Sequence, residues 1–290
     1  MFEGSYVAIV TPFKNGKVDA AALKGLIEFH IENGTNGIVP CGTTGESATL
    51  VRTEQEEVIG ITVEACADRV SVLAGTGSNA THEAIELTQS AEKLGANGAL
   101  LITPYYNKPS QEGLYQHFAA VAKETKLPIV LYNVPSRTAI NMLPATVARL
   151  AKIKNIVGIK EASGNLIQIS EIIQTCDSDF SVISGEDALN GPILALGGKG
   201  FISVTANIVP DKFARLYKAA SEGNIETAKS LHYELLKLND VMFVETNPIP
   251  VKAALAVMGR IDNEFRLPLC PPSDDNLNKL KSVLKEYGIA

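Results

Sequence analysis

The sequence predicts an α/β protein, a (β/α)8 TIM barrel with a C-terminal helical extension, and three observations carry that expectation. Eight short β-rich runs recur at fairly even spacing, the segments between them have helical period, and the runs are apolar almost throughout, as parallel strands covered on both faces must be. The strands read as Val7 to Thr11, Gly37 to Pro40, Val70 to Ala74, Gly98 to Thr103, Pro128 to Tyr132, Ile156 to Lys160, Ser181 to Ser184 and Gly200 to Val204. After the first, Leu23, Leu26, Ile27 and Ile31 keep helical spacing between an N-cap at Asp19 and a terminating Gly34; in a later unit Leu114, Phe118, Val121 and Ala122 follow Ser110 in the same way. A doubly wound open sheet is the competing architecture. Its first turn would carry G-x-G-x-x-G, whereas the turn here reads Thr11-Pro12-Phe13-Lys14-Asn15-Gly16.

Beyond Gly223 the pattern becomes helical throughout: Ile225, Ala228, Leu231, Leu235 and Leu238, then Ile249 to Met258, then Leu277, Leu280 and Leu284 behind a Ser273 cap and ahead of Gly288. The expected division is a catalytic barrel over 1–223 and a helical appendage over 224–290, too small to be an enzyme domain by itself. No internal repeat or low-complexity linker interrupts this organisation.

Composition narrows the function. Of 290 residues, 46% are hydrophobic and 20% charged, enough apolar material for a large core and too much for a disordered chain. A net charge of −6, spread along the chain, leaves no basic footprint for nucleic acid or anionic lipid, so a small-molecule substrate is the expected partner. Cys41, Cys66, Cys176 and Cys270 are far apart and read as reduced thiols. No apolar run reaches the ~18 residues of a membrane span, and the segment Met1-Phe2-Glu3-Gly4-Ser5 lacks a basic leader. A cytoplasmic location is expected.

In such barrels function sits at the C-terminal ends of the strands, which makes Lys160 the sharpest candidate. Alternation puts it on the face of Gly158, opposite Val157 and Ile159, which should meet the helices; Lys160 then points into the barrel. A desolvated ammonium there is expected to lose its proton readily and to attack a carbonyl, forming a Schiff base. The alternative is a lysine reaching solvent or paired with Glu161 or a neighbouring carboxylate.

Around it, Gly42-Thr43-Thr44-Gly45 offers backbone N–H groups and two hydroxyls suited to a small carboxylate, or else forms a βα turn whose Thr44 or Ser47 caps the next helix. Tyr132 and Tyr106 are phenolic acid/base candidates or rim aromatics. Arg137 suits a second carboxylate or a surface ion pair. The loops after strands seven and eight, Gly185-Glu186-Asp187-Ala188 and Ala206-Asn207-Ile208-Val209-Pro210, lack phosphate-binding character, and Gly197-Gly198-Lys199-Gly200 precedes strand eight on the opposite face. His30, His82, His117 and His232 have no metal-ligand spacing, and no G-x-S-x-G elbow is present. No metal or cofactor is implied.

Taken together, Gly42-Thr43-Thr44-Gly45-Glu46-Ser47, Thr103 to Pro109, Tyr132 to Thr138, Gly158 to Ala162 and the stretch Phe243 to Lys252 make the whole chain resemble the dihydrodipicolinate synthase family, of the pyruvate-dependent class I lyase and aldolase superfamily. The first motif is common to the superfamily; Arg137 discriminates, because the sialic-acid lyase branch lacks an arginine in that loop. The resemblance implies condensation of pyruvate with aspartate semialdehyde. In it Lys160 forms the imine; Thr43 and Thr44 hold the pyruvate carboxylate near Gly185 and Ile202; Tyr132, linked through Thr43 to Tyr106 of a neighbouring subunit, moves protons; and Arg137 takes the semialdehyde carboxylate.

The family precedent is a homotetramer built from two tight dimers. A lysine-inhibitor site at the dimer interface is matched by Ser47, Ala48, Asn79, Glu83 and Tyr105, but Arg52 and Gln55 stand where strongly inhibited members often carry histidine, so lysine sensitivity stays open. Two other functions compete: a 2-keto-3-deoxy sugar acid aldolase using the same Lys160, and a catalytically silent small-molecule sensor.

Overall fold

Parallel pairing runs unbroken around eight of the ten strands in the computed structural model, which describes residues 2–289. The strands are β1 (Gly4–Ala8), β2 (Phe13–Lys14), β3 (Lys17–Val18), β4 (Gly37–Val39), β5 (Ser71–Gly75), β6 (Gly98–Ile102), β7 (Ile129–Asn133), β8 (Ile156–Glu161), β9 (Ser181–Ser184) and β10 (Gly200–Ser203). β1 pairs with both β4 and β10, which closes the barrel; β2 and β3 form a small antiparallel hairpin in the first βα connection. The expected (β/α)8 architecture is therefore present.

Two local expectations are corrected. The first strand begins and ends earlier than Val7 to Thr11: Tyr6, Val7 and Ala8 pair with Gly37, Ile38 and Val39, after which the N–H of Val10 is taken by Asn207 Oδ1 at 3.3 Å and Pro12 has no N–H to give. Val157 does not face the helices. The register shifts between Ile129 and Val130, whose partners are Ile156 and Gly158, so Val157 is an extra residue that packs against the interior of the barrel. Gly158 then lies so close to β9 that a Cβ would meet the Ser181 carbonyl oxygen at 2.5 Å.

Apolar burial is split into two layers. Inside the barrel Tyr6, Val39, Leu73, Leu100, Val130, Ile183 and Ile202 pack together, with Phe2 edge-to-face on Tyr6 at the N-terminal end. The larger cluster lies between strands and helices, where Leu23, Leu26 and Ile27 meet it from a helix capped by Asp19, which accepts from the Ala22 N–H at 3.0 Å. Ser110 and Ser273 cap their helices as expected. All four cysteines are unpaired. No helix among the described residues is long and apolar enough to cross a membrane.

Within 224–290 (Ala290, like Met1, lies outside the described residues) the chain forms helices Ile225–Val241, Ile249–Val257 and Asp274–Glu286. The middle one is buried from Ile249 to Leu255 and ties back to the barrel: Lys252, fully enclosed, pairs with the equally enclosed Glu46. Arg266 reaches both oxygens of Glu54 at 2.6 Å, and Glu264 accepts the N–H groups of Asn15 and Gly16 at the hairpin tip at 2.9 and 2.5 Å.

Candidate active site

The C-terminal ends of β7 and β8 place Tyr132 and Lys160 as direct register partners. Lys160 is 6% exposed, and its Nζ lies 4.3 Å from the centroid of the Tyr132 ring, a cation–π distance. Its stem runs against Gly185, where a Cβ would come within 2.9 Å of Lys160 Cε; only glycine leaves that path open. Glu161 is not its partner. That carboxylate lies on the other face of β8, where it accepts from Asn133 Nδ2 at 3.0 Å, the Ser163 N–H at 2.7 Å and Gln168 Nε2 at 3.2 Å. Burial pushes the Glu161 carboxyl up and those donors oppose it. They also pin the ends of both strands that carry the candidate residues.

A cavity of about 170 Å³ opens in front of Lys160 and gathers Tyr132, Thr43, Thr44, Arg137 and Gly185 around it. The turn that supplies the threonines is held by left-handed backbone at Cys41 and Glu46, by the Gly45 N–H donating to the Gly42 carbonyl at 3.1 Å, and by the Thr11 hydroxyl donating to the Gly45 carbonyl at 2.7 Å. Among the described residues the N–H groups of Thr43 and Thr44 have no acceptor in the chain, so two donors remain for an anion. Arg137, in the short helix Pro135–Thr138, donates through Nη2 to the Asn247 carbonyl at 3.0 Å. Ile202 is buried in the barrel interior behind the cavity and is not part of its lining. Tyr106 is not brought to Lys160 within the chain: it is 90% exposed, in left-handed backbone after β6.

The two acids after β9 have separate surroundings. Asp187 accepts the Val204 and Thr205 N–H groups, each at 2.9 Å, and fixes the start of the next loop. Glu186 lines the cavity; burial pushes its carboxyl up, Asp187 adds to that, and Lys160 pulls it down.

A second cavity of about 440 Å³ adjoins the first and is lined by Ser47, Ala48, Glu83 and Tyr105. Glu83 is hydrogen-bonded to the Ser78 hydroxyl; Asn79 is not part of the lining and donates to the Tyr105 carbonyl at 3.3 Å. Arg52 is engaged with Glu56 and Glu86, while Gln55 donates to the Ser47 carbonyl at 3.2 Å. Thr43, Arg137 and Asn247 line both cavities.

Asn247 and the Glu46–Lys252 pair carry no role in the sequence analysis. Their signal was the stretch Phe243 to Lys252, an Asn-Pro-Ile-Pro sequence with a lysine inside an apolar helical run.

The model of the dihydrodipicolinate synthetase family matches residues 1–287. The chain belongs to the dihydrodipicolinate synthetase family. Within that family it is 59% identical over 289 residues to the 4-hydroxy-tetrahydrodipicolinate synthase of Thermodesulfovibrio yellowstonii, with 100% of this chain and 99% of the relative covered. The structure of dihydrodipicolinate synthase from Aquifex aeolicus matches with a TM-score of 0.98 at 52% identity, covering 99% of each chain. The family member from Acinetobacter baumannii, in a complex with pyruvate, matches with a TM-score of 0.98 at 47% identity over 100% of both chains.

Proposed function

We propose that the barrel condenses pyruvate with L-aspartate 4-semialdehyde to give 4-hydroxy-tetrahydrodipicolinate, the first committed step of lysine biosynthesis through diaminopimelate. The observation that carries this is a buried Lys160 with no carboxylate partner among the described residues, facing a cavity that holds a phenol, a donor-rich turn and an arginine. The full-length relative at 59% identity bears the name of this synthase, a lyase of the class I aldolase type, and a family member was solved with pyruvate.

The chemistry follows from the side chains. The neutral amine of Lys160 attacks the ketone carbon of pyruvate, water leaves, and an imine forms. Thr43 and Thr44 hold the pyruvate carboxylate by their N–H and hydroxyl groups. The protonated imine acts as the electron sink when a methyl proton is removed, so no cofactor is called for. The resulting enamine carbon attacks the aldehyde of the second substrate, whose carboxylate Arg137 binds at the cavity entrance. Tyr132, beside Lys160 Nζ, moves protons at the imine and aldehyde stages. Attack of the substrate amine on the imine carbon then releases Lys160 and closes the ring.

The exposure of Tyr106 supports a contribution from it to the site of a second copy, hence a tight dimer and, by family precedent, a homotetramer of two dimers. The second cavity is proposed to take lysine, with Glu83 for the ammonium and Asn79 near the carboxylate. A cytoplasmic location fits a biosynthetic enzyme of this class. The keto-deoxy sugar acid aldolase is not favoured, since the high-identity full-length relatives are synthases. Incubation with both proposed substrates should yield the cyclic product; turnover of a 2-keto-3-deoxy sugar acid without activity on the semialdehyde would reverse the choice.

A further inference from the structure

We propose that Asn247 is a positioning residue for pyruvate, because its side-chain amide fixes the direction of the Thr44 hydroxyl proton; this rests on the pyruvate reading above. Asn247 is 5% exposed and comes from the segment just before helix Ile249–Val257, far in sequence from the turn it touches. Its Nδ2 donates to Thr44 Oγ1 at 3.0 Å, and its backbone carbonyl accepts from Arg137 Nη2 at 3.0 Å. Its Oδ1 is buried with no partner among the described residues.

An amide nitrogen donates and cannot accept, so Thr44 Oγ1 must receive that hydrogen bond through a lone pair. The hydroxyl proton is then free for another acceptor, and Thr44 lines the cavity in front of Lys160. That polarity suits a carboxylate. The contact is held in place from the same segment: Lys252, five residues on, pairs with Glu46, two residues past Thr44. Because Arg137 uses the backbone carbonyl, side-chain substitutions leave that contact available, and their effect should fall on pyruvate rather than on the semialdehyde.

The decisive variant is Asn247→Asp, which keeps shape but reverses the hydrogen bond. The ionised carboxylate accepts the Thr44 proton and turns the hydroxyl lone pairs, and a negative charge, toward the pyruvate carboxylate. The readouts are the pyruvate dependence of borohydride-trapped adduct on Lys160 and the separate KM values of the two substrates, with thermal unfolding as a check on the fold. Half-saturation by pyruvate is expected to rise about tenfold to a hundredfold, the range of a charge-assisted hydrogen bond, with little change in the semialdehyde KM. Asn247→Ala, which frees the hydroxyl to rotate, should give a rise of only a few-fold.

Lys160, Tyr132, Glu186 and Arg137 also line this cavity and are unchanged by the substitution, so the ratio of variant to wild type isolates the new carboxyl. That ratio should shrink as pH falls and the carboxyl becomes a donor again. An Asn247→Asp variant that binds pyruvate like wild type, an alanine variant worse than the aspartate one, a proportional loss for both substrates, or a ratio indifferent to pH would each overturn the assignment. If the aspartate variant does not fold, an unchanged pyruvate dependence in Asn247→Ala overturns it equally. A wild-type protein that traps no pyruvate at any concentration would instead remove the functional reading beneath it.

Discussion

Lys160 and Lys252 are both buried, and each ammonium lies 4.3 Å from an aromatic ring centroid, that of Tyr132 for the first and of Phe13 for the second. Their surroundings differ in one respect that decides their chemistry. Lys252 is enclosed completely and carries its counter-charge with it in Glu46; burial pushes its pKa down and Glu46 opposes that. Lys160 has no such partner among the described residues and opens onto a cavity large enough for a small keto acid. Burial alone does not make a lysine reactive. A buried cation neutralised by a carboxylate is a fastener; one without such a contact, facing an open cavity, suits the nucleophile proposed above.

Exchanging the two lysines' fates is the largest expected effect. Lys160→Ala should lower turnover by about 10³-fold or more while leaving thermal unfolding nearly unchanged. Lys252→Met should do the reverse, lowering unfolding free energy in urea by about 3–5 kcal/mol because the Glu46 charge is left buried with only the Arg266 N–H at 3.3 Å to meet it, while the protein that remains folded still traps pyruvate. Restoring an apolar pair with Glu46→Leu and Lys252→Met together should recover much of that loss. Full stability in the single Lys252 variant would break the comparison.

Within the reactive region, substitutions should separate the two substrates. Arg137→Ala should lower kcat/KM for the semialdehyde by about 10²-fold, the contribution of a charge-assisted carboxylate contact, with imine trapping intact. Loss of trapping in that variant would contradict its place at the entrance. Tyr106→Phe should slow turnover by about 10²-fold without altering the fold or the trapping step, if it has the proton-relay role proposed above.

The last effect is a pH dependence of the shell around the barrel rather than of either lysine. Burial holds His30 down at about 3 and His117 at about 4, so the unfolded chain binds protons that the folded chain refuses once pH falls below the ordinary histidine value. Stability is present above pH 6.5 and should be lost as pH drops toward 4, by about 1.4 kcal/mol per histidine per pH unit. Urea unfolding at two pH values tests this, and His117→Gln should remove about half of the slope.

How much of this was legible in the sequence follows from the range of each interaction. The eight strands, the helix caps at Asp19, Ser110 and Ser273, and the position of Lys160 rest on apolar period and neighbouring residues, which a single sequence displays. The end of β1 does not, because Asn207 takes the Val10 N–H from far along the chain; nor does the inward turn of Val157, which arises from a register shift against β7. Asn247 and Lys252 show in the sequence only within the stretch Phe243 to Lys252 and with no role, for the same reason: their partners Thr44 and Glu46 lie 203 and 206 positions away. The helical appendage thus reads in sequence as an addition to the barrel, yet it supplies one wall of the candidate site. Tyr106 marks the opposite limit: it is 90% exposed, and among the described residues nothing brings it to Lys160.

The most direct test is mass spectrometry after incubation with pyruvate and sodium borohydride, in wild type and in Lys160→Ala, with Lys252 as the internal control. A pyruvate-derived adduct on Lys160 alone, absent from the variant, is the predicted result. Modification of Lys252, or no adduct on Lys160 under conditions that trap another imine-forming aldolase, would contradict the account.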